Sequence, residues 1–278
     1  MDAEEAVTHR SALTDIASVA THATISIVGL VAFLHPFWTA QVGSATEHTQ
    51  DAPLMTAALI ALSLIAMLID AQQAALDVRQ IALLGVLTAM NSALRFAEVA
   101  LPGPGGFTPI FFLIICGGFV FGARFGFLLG ALTLLVSAVV TGGVGPWLPF
   151  QMFTAGWMGL SAGWLGLFSK THAPMLTRRS HFVLIIFGAV WGFAYGAVMN
   201  LWSWPYTVAA EAGVAAAHLG AFETLRRYAA YYALTSFAWD LFGAAGNALL
   251  LALFAPAVVR TMRRFRMRFV FVWRLETP

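Results

Sequence analysis

Long apolar runs, separated by short polar segments or segments rich in glycine and proline, dominate the chain. A helix needs roughly 20 mostly apolar residues to cross a bilayer. Judged against that length, the runs predict eight helical spans, at about 17–38, 53–70, 79–100, 106–123, 125–142, 149–168, 181–204 and 228–256. We therefore expect an all-α fold, a polytopic membrane helical bundle.

Two irregular segments interrupt these runs. Residues 141–163 read TGGVGPWLPFQMFTAGWMGLSAG, and residues 101–106 read LPGPGG. Gly and Pro positions of this kind do not continue a helix, and irregular backbone near a bilayer persists only at an interface or where it lines a cavity within the protein. We predict that both segments lie at the mouth of a binding cavity.

Composition also indicates a membrane protein. Hydrophobic residues make up 60% of the 278 residues, charged residues only 10%, and the mean hydropathy is +0.80, which is outside the usual range of soluble proteins. The single cysteine, Cys116, excludes an intramolecular disulfide and a cysteine zinc cluster. The acidic N-terminus lacks the basic region of a signal peptide, so we expect the first span to be retained.

Basic residues predict the orientation, because cytoplasmic loops carry an excess of Lys and Arg. If both termini are cytoplasmic, all of the 15 Lys and Arg residues except Arg95, Arg226 and Arg227 fall on the inner side. We interpret the inner cluster RTMRRFRMR, at 260–268, as an anchor to anionic lipid rather than a nucleic-acid site. The sequence thus predicts a multi-pass protein of the cell membrane with both termini in the cytoplasm.

The longest outer segment, at about 205–227, separates the seventh and eighth runs. It is rich in Ala and Leu, and Glu223 lies four residues before Arg227, a spacing that favours an ion pair on a helix. We predict an interfacial helix here, acting either as a lid or as a structural cap.

Small residues spaced four apart let helices approach closely in lipid. Three runs carry such ladders: Gly85, Ala89 and Ala93 on the third, Gly122, Gly126 and Gly130 on the fifth, and Gly188, Gly192 and Gly196 on the seventh. We interpret the ladders of the fifth and seventh runs as packing within the protein. The ladder of the third run forms a smooth groove that a partner helix also fits.

Ionisable groups at membrane depth point to function. Asp240 lies roughly 18 Å along the eighth span if that helix begins near Tyr228. On such a helix Tyr232, Ser236 and Asn247 share its face. A carboxylate that only holds the bundle together is an equally open interpretation.

The predicted topology places several polar and aromatic side chains in the outer half of the bundle, and we predict that they line one cavity. The candidate substrate-binding residues are Arg95, Trp147, Gln151, Asn200, Trp204, Tyr232 and Asp240. Trp and Tyr are also enriched at membrane interfaces, so a belt position remains an alternative for each aromatic residue.

Catalytic motifs such as HExxH, GxSxG and the Walker phosphate loop do not occur in the sequence. The histidines at 22, 35 and 48 lack the spacing of metal ligands. We therefore predict no enzyme, no ATPase activity of the chain's own, and no metal or cofactor.

From about residue 81 to residue 268, the sequence resembles the substrate-binding S components of energy-coupling factor (ECF) vitamin transporters. The likeness is strongest over residues 82–163, where a first core helix with small residues is followed by LPGPGGFTPIFF, FGARFGFLLGAL and GGVGPWLPFQMFTAGWMG. It extends to LWSWP and ETLRRYAAYYALTSFAWDLFGAAGNALL. The resemblance implies a six-helix core at 78–258 that binds a vitamin from outside. Residues 1–77 then form a tail with two extra helices, and residues 259–278 form a basic cytoplasmic tail.

The resemblance also implies partners, namely a transmembrane coupling protein and two cytoplasmic ATPase subunits. The family's docking motif on the first core helix corresponds to Gly85, Ala89 and Ala93, with Ala82 one turn earlier, and glycine replaces one alanine of that motif. The GPW-PFQM type of segment favours a cobalamin-type corrinoid, with riboflavin, biotin, thiamine or a precursor as alternatives. A stand-alone carrier or a structural membrane protein is the competing hypothesis.

Overall fold

The structure is a computed structural model that describes residues 20, 23–39, 57–58, 61, 65, 78–103, 105–169, 176–212 and 218–268. Within these residues the regular elements are helices, and no strand occurs. The helices are α1 (Ala23–Trp38), α2 (Val78–Ala100), α3 (Ile110–Phe121), α4 (Ala123–Thr141), α5 (Leu148–Phe168), α6 (Arg178–Ala212), α7 (Ala221–Thr235) and α8 (Phe237–Arg268). The predicted all-α membrane bundle is confirmed.

Four of the described helices, α2, α4, α6 and α8, are long and apolar enough to cross a membrane. Helices α1 and α3 are apolar but shorter, and the 12 residues of α3 span only about 18 Å at 1.5 Å per residue. The predicted second span, at 53–70, lies almost entirely outside the described residues. The chain is thus a multi-pass membrane protein in which some core helices are shorter than a bilayer is thick.

The predicted start of the eighth span is wrong. Ser236 departs from helical geometry (φ −122°, ψ −28°), which ends α7 at Thr235, and α8 begins at Phe237. Asn200 of α6 donates a hydrogen bond to the Ser236 hydroxyl at 2.7 Å and thereby fixes this bend. Asp240 therefore lies in the first turn of α8 rather than deep along one continuous helix, and Tyr232 belongs to α7.

The core lies where α3, α4 and α5 meet. Helix α3 is buried along nearly its whole length, and Ile114, Ile115 and Cys116 have no exposed surface. Such complete burial explains why the sequence of α3 is uniformly apolar rather than amphipathic. This uniformity predicted the span but not that protein, rather than lipid, surrounds it.

Helices α4 and α5 touch through their backbones. A Cβ atom added to Gly126 would overlap the carbonyl of Gly159, and one added to Gly130 would overlap the carbonyl of Ala155. The ladder on α4 is therefore an internal contact, as predicted, for Gly126 and Gly130. Gly122 differs, because with a φ of 101° it forms the sharp joint between α3 and α4.

Helix α1 packs against α5 and α6 through aromatic rings. The Phe33 ring lies 4.9 Å from that of Phe150 and 5.4 Å from that of Trp157. Farther along α1, the Phe37 ring lies 5.7 Å from that of Trp204. The first predicted span is therefore attached to the side of the core formed by α5 and α6.

The basic end of α8 returns to the core near the end of α3. The Arg266 guanidinium donates to the Val120 carbonyl at 2.6 Å, and the Arg263 guanidinium lies 5.6 Å from the centre of the Phe119 ring. At least these two arginines of the cluster thus have partners within the protein as well as any contact with lipid.

Candidate substrate-binding site

A cavity of about 600 Å3 lies at one end of the bundle. Among the described residues, each helix from α2 to α8 contributes to its wall, together with the loop that joins α2 to α3. Its polar side chains are Arg95, Glu98, Thr108, Gln151, Asn200, Thr235, Ser236 and Asp240. The cavity is therefore a partly open one bordered by the core helices, and none of its lining residues lies on α1.

The structure brings four of the seven candidate residues to this one space: Arg95, Gln151, Asn200 and Asp240. They come from α2, α5, α6 and α8 respectively, helices that are far apart in the sequence. The bend at Ser236 is what turns the start of α8, with Asp240, towards α6.

The other three candidates do not line the cavity. Trp147 is 44% exposed, and its indole donates to the Gly143 carbonyl at 3.2 Å, so the ring packs against the turn at 142–147 and not into the cavity. Trp204 is only 2% exposed and packs against the rings of Phe37 and Tyr228, at 5.7 and 5.5 Å.

Tyr232 touches the site indirectly. Its hydroxyl donates to Oδ2 of Asp240 at 2.9 Å, from α7. Tyr232 thus orients the carboxylate without lining the cavity.

The two irregular segments differ in position. The loop between α2 and α3 forms part of the cavity wall, with Gly105 in a left-handed conformation (φ 56°) and the Gly106 amide donating to the Trp239 carbonyl at 3.1 Å. The turn at 142–147 folds back on α4, where Gly142 has a φ of 70° and the Gly143 amide bonds the Ala138 carbonyl. The turn at 142–147 therefore does not border the cavity, whereas the rest of the predicted segment, 148–163, belongs to helix α5 and contributes Gln151 to the wall.

The Asp240 carboxylate lies directly against Gly196 of α6, where a Cβ atom would overlap it. Glycine at this position lets the carboxylate pass close to the α6 backbone. Tyr232 is the one hydrogen-bond donor to the side chain of Asp240 among the described residues, and it occupies Oδ2. The other oxygen, Oδ1, is left available to a ligand.

Arg95 and Glu98 form an ion pair at the opposite wall. Nη1 of Arg95 lies 2.6 Å from Oε1 of Glu98, and the Thr108 hydroxyl donates to Oε2 of the same carboxylate at 2.5 Å. Both carboxylate oxygens are therefore occupied, and the pair is neutral overall.

Neutral polar groups complete the site. Asn200 borders the cavity and donates from its amide nitrogen to Ser236, and its Oδ1 accepts no hydrogen bond from a described residue. The side-chain amide of Gln151 makes no hydrogen bond to any described residue and offers both donors and an acceptor.

Sequence reasoning missed several lining residues: Glu98, Phe107, Thr108, Phe111, Tyr195 and Trp239. Glu98 carried a usable signal, since it is a carboxylate on a span, three residues from Arg95. The aromatic residues carried none, because Phe, Tyr and Trp occur on most runs of this chain. Only their position around the cavity distinguishes them.

A family model described as "ECF transporter, substrate-specific component" matches residues 79–255, which is more than half of the chain. No curated protein and no solved structure matches the chain. The matched region extends from the start of α2 into α8 and contains the whole lining of the cavity, whereas α1 precedes it. The chain therefore belongs to the family of substrate-specific components of ECF transporters, and it is a membrane-embedded subunit that gives an importer its substrate specificity.

Proposed function

We propose that the cavity bordered by Arg95, Gln151, Asn200 and Asp240 is the substrate site of this S component, and that it captures a micronutrient for ATP-driven uptake. The observation that supports this most is the convergence of hydrogen-bonding side chains from four separate helices on one space. Its volume of about 600 Å3 falls within the roughly 300–1,000 Å3 typical of small-molecule sites.

For the ligand, we favour a ring compound of ordinary vitamin size. No comparison supports cobalamin, and a corrinoid macrocycle is large for a cavity of about 600 Å3. Aromatic side chains of Phe107, Phe111, Tyr195 and Trp239 line the space and offer faces to a ring. Riboflavin, biotin, thiamine and their precursors therefore precede cobalamin as candidates.

Native mass spectrometry of the freshly purified full chain tests the site. We expect a small molecule to co-purify with the wild type and its affinity to fall about tenfold, or about 1.4 kcal/mol, in Gln151→Ala and in Asp240→Asn, which lowers the occupancy after purification. Glu223→Gln is the matched control, because Glu223 is a carboxylate on α7 that does not border the cavity. Full occupancy in both site variants would place the ligand elsewhere.

We further propose that α2 docks on the coupling protein through Ala82, Gly85, Ala89 and Ala93. All four are exposed, and a Cβ atom on Gly85 would meet nothing within 4 Å. The opposite face of α2, with Leu84 and Leu87, is buried against the core. Helix α1 packs on α5 and α6, so within the described part of the chain it does not cover this face of α2.

Co-purification with the coupling protein and the two ATPases tests the docking face. We expect Ala89→Trp and Ala93→Trp to abolish the complex without reducing ligand occupancy, because an indole fills the groove that a partner helix needs. Val190→Trp is the control, since Val190 is also an exposed apolar position but lies on α6. Loss of ligand together with assembly would mean that the groove belongs to internal packing.

A further inference from the structure

We propose that the cavity selects an organic cation, a ligand with a positively charged nitrogen on or next to an aromatic ring, and that Asp240 is its counter-ion. This inference rests on the proposal that the cavity is the substrate site. It adds the charge class of the substrate, which neither the family nor the comparisons assign.

The first step is the charge of the lining. The described side chains that border the cavity include two carboxylates, Glu98 and Asp240, and one guanidinium, Arg95. Arg95 and Glu98 neutralise each other at 2.6 Å. The formal charge that remains for a ligand to meet is the single negative charge of Asp240.

The second step is that Asp240 lacks a cationic partner among the described residues. Its carboxylate receives one hydrogen bond, from the neutral phenol of Tyr232, and otherwise lies against Gly196. Asp240 is half-buried, and a carboxylate partly removed from water is costly unless a cation or several donors meet it. A cationic ligand would supply the missing charge at Oδ1.

The third step is the position of the aromatic rings. Phe107, Phe111, Tyr195 and Trp239 border the same space, and the rings of Phe111 and Tyr195 are 4.6 Å apart, tilted at 47°. Aromatic faces attract organic cations, most strongly where water is excluded, as at Phe111, which is 6% exposed, and less at Trp239, which is 63% exposed. An anion would meet the negative faces of these rings as well as Asp240.

The fourth step is the balance of hydrogen-bonding groups. Oδ1 of Asp240 and Oδ1 of Asn200 remain as acceptors, because Tyr232 occupies the other carboxylate oxygen and Ser236 takes the Asn200 amide. Arg95 donates from Nη1 to Glu98, and its charge is balanced by that carboxylate. Two acceptors therefore border the cavity, one of them on a carboxylate, and they suit a protonated or amino-substituted ring, while Gln151 can donate to an acceptor elsewhere on the ligand.

The test compares three probes that share one aromatic ring and differ in charge: benzyltrimethylammonium, benzyl alcohol and benzoate. Affinity for the full chain in a neutral detergent is measured by ligand-observed NMR titration. We expect the cation to bind at least about tenfold more tightly than benzoate. We expect Asp240→Asn to weaken the cation about tenfold and to leave benzyl alcohol unchanged, with Glu223→Gln behaving as the wild type.

Trp239→Leu gives a second, independent measure if Asp240→Asn folds poorly. It should weaken the cation about fivefold and benzyl alcohol by less, because an aliphatic side chain keeps the apolar contact but loses the ring face. Equal losses for both probes would remove the aromatic part of the inference.

Equal or tighter binding of benzoate, or an unchanged cation affinity in Asp240→Asn, would overturn the charge selection. If the favoured probe is neutral or anionic and Gln151→Ala weakens it, the cavity remains the substrate site and only its charge class is wrong. If no probe binds, the charge selection also falls, while the ligand that co-purifies with the wild type tests the site independently.

Discussion

The glycine ladders of α4 and α6 have the same spacing, yet the ladder on α4 forms a closed helix contact, whereas the ladder on α6 ends at the cavity. On α4, Gly126 and Gly130 meet backbone carbonyls of α5 and form a dry, closed contact. On α6, Gly192 meets the backbone of Ala244, but one turn later Gly196 meets the carboxylate of Asp240. The same motif therefore closes one helix pair completely and opens the other into a cavity.

The difference comes from the helix on the other side. Helix α5 presents Gly159 and Ala155, which have almost no side chain, so the two backbones come together. Helix α8 presents Ala244 and then, nearer its start, Asp240, whose carboxylate requires hydrogen-bond donors such as the Tyr232 hydroxyl. A small-residue ladder thus sets how closely a neighbour can approach, and the neighbour decides whether the contact is apolar or polar.

The largest effect should follow a Cβ atom placed in the closed contact. Gly126→Ala forces a methyl group against the Gly159 carbonyl, a backbone atom that cannot move away alone. We expect a loss of about 3 kcal/mol in unfolding free energy, at the upper end for overpacking, measured by denaturation in mixed micelles. Gly85→Ala, where nothing lies within 4 Å, should change it by less than about 0.5 kcal/mol; equal losses would contradict the closed contact.

The same substitution on α6 should affect binding more than stability. Gly196→Ala displaces the Asp240 carboxylate, which as a side chain can swing aside. We expect about tenfold weaker binding of benzyltrimethylammonium, or about 1.4 kcal/mol, with little change in the denaturation midpoint. A stability loss as large as that of Gly126→Ala would show that both ladders are closed packing contacts.

Helix α4 also has a polar contact, on the side that faces α2. The buried amide nitrogen of Asn91 donates to the Thr133 hydroxyl at 3.1 Å, while Oδ1 of Asn91 has no partner among the described residues. Thr133→Val keeps the shape but leaves the amide unpaired, so we expect a loss of about 1 kcal/mol in unfolding free energy. Thr141→Val, at a hydroxyl that bonds only the Ser137 carbonyl of its own helix, is the control and should cost less.

Acidification should affect α7, next to the cavity, and not the contact between α4 and α5. Hydrogen bonds from Arg226 and Arg227 lower the pKa of Glu223 from 4.5 to about 2. A lowered pKa in the folded state means that these ion pairs stabilise the protein above about pH 4.5 and are lost as the pH falls towards 2. The effect is the smallest of the four, because the groups are solvent-exposed.

Thermal unfolding of wild type and Glu223→Gln between pH 6 and pH 3 measures this effect. The difference between the two proteins should shrink as the pH falls, since protonation removes the same charge as the substitution. A difference that stays constant would mean that the ion pairs do not contribute to stability.

Sequence reasoning located helices more reliably than contacts. The runs that became α4 and α5 were predicted within two residues of their observed starts and ends, because Gly142 and the proline at 149 mark the turn between them. The start of α8 was missed, since residues 228–256 form one apolar run and the bend depends on the hydrogen bond from Asn200 to Ser236. Local hydropathy does not register a contact made between residues 36 positions apart.

The same distinction applies to the candidate site: polar residues on apolar runs were recognised from the sequence, whereas the contacts of the aromatic residues were not. Four lining residues were recognised from the sequence, because burying a polar group in a membrane costs free energy and such groups are usually functional. They are Arg95, Gln151, Asn200 and Asp240. Trp147 and Trp204 were chosen on the same general grounds, but one lies on its own turn and the other is buried between α1 and α7. Tyr232 was predicted on the same helix as Asp240, whereas it lies on α7 and bonds the Asp240 carboxylate from there.

The sequence by itself determined the class of the molecule and its family, because hydropathy and spacing are properties of each segment alone. The tertiary structure decided which polar groups share a cavity and which glycine ladder is closed. These depend on which helix lies opposite, and on a bend held by a side chain from another helix. Such pairings join positions far apart in the chain, and no single apolar run encodes them.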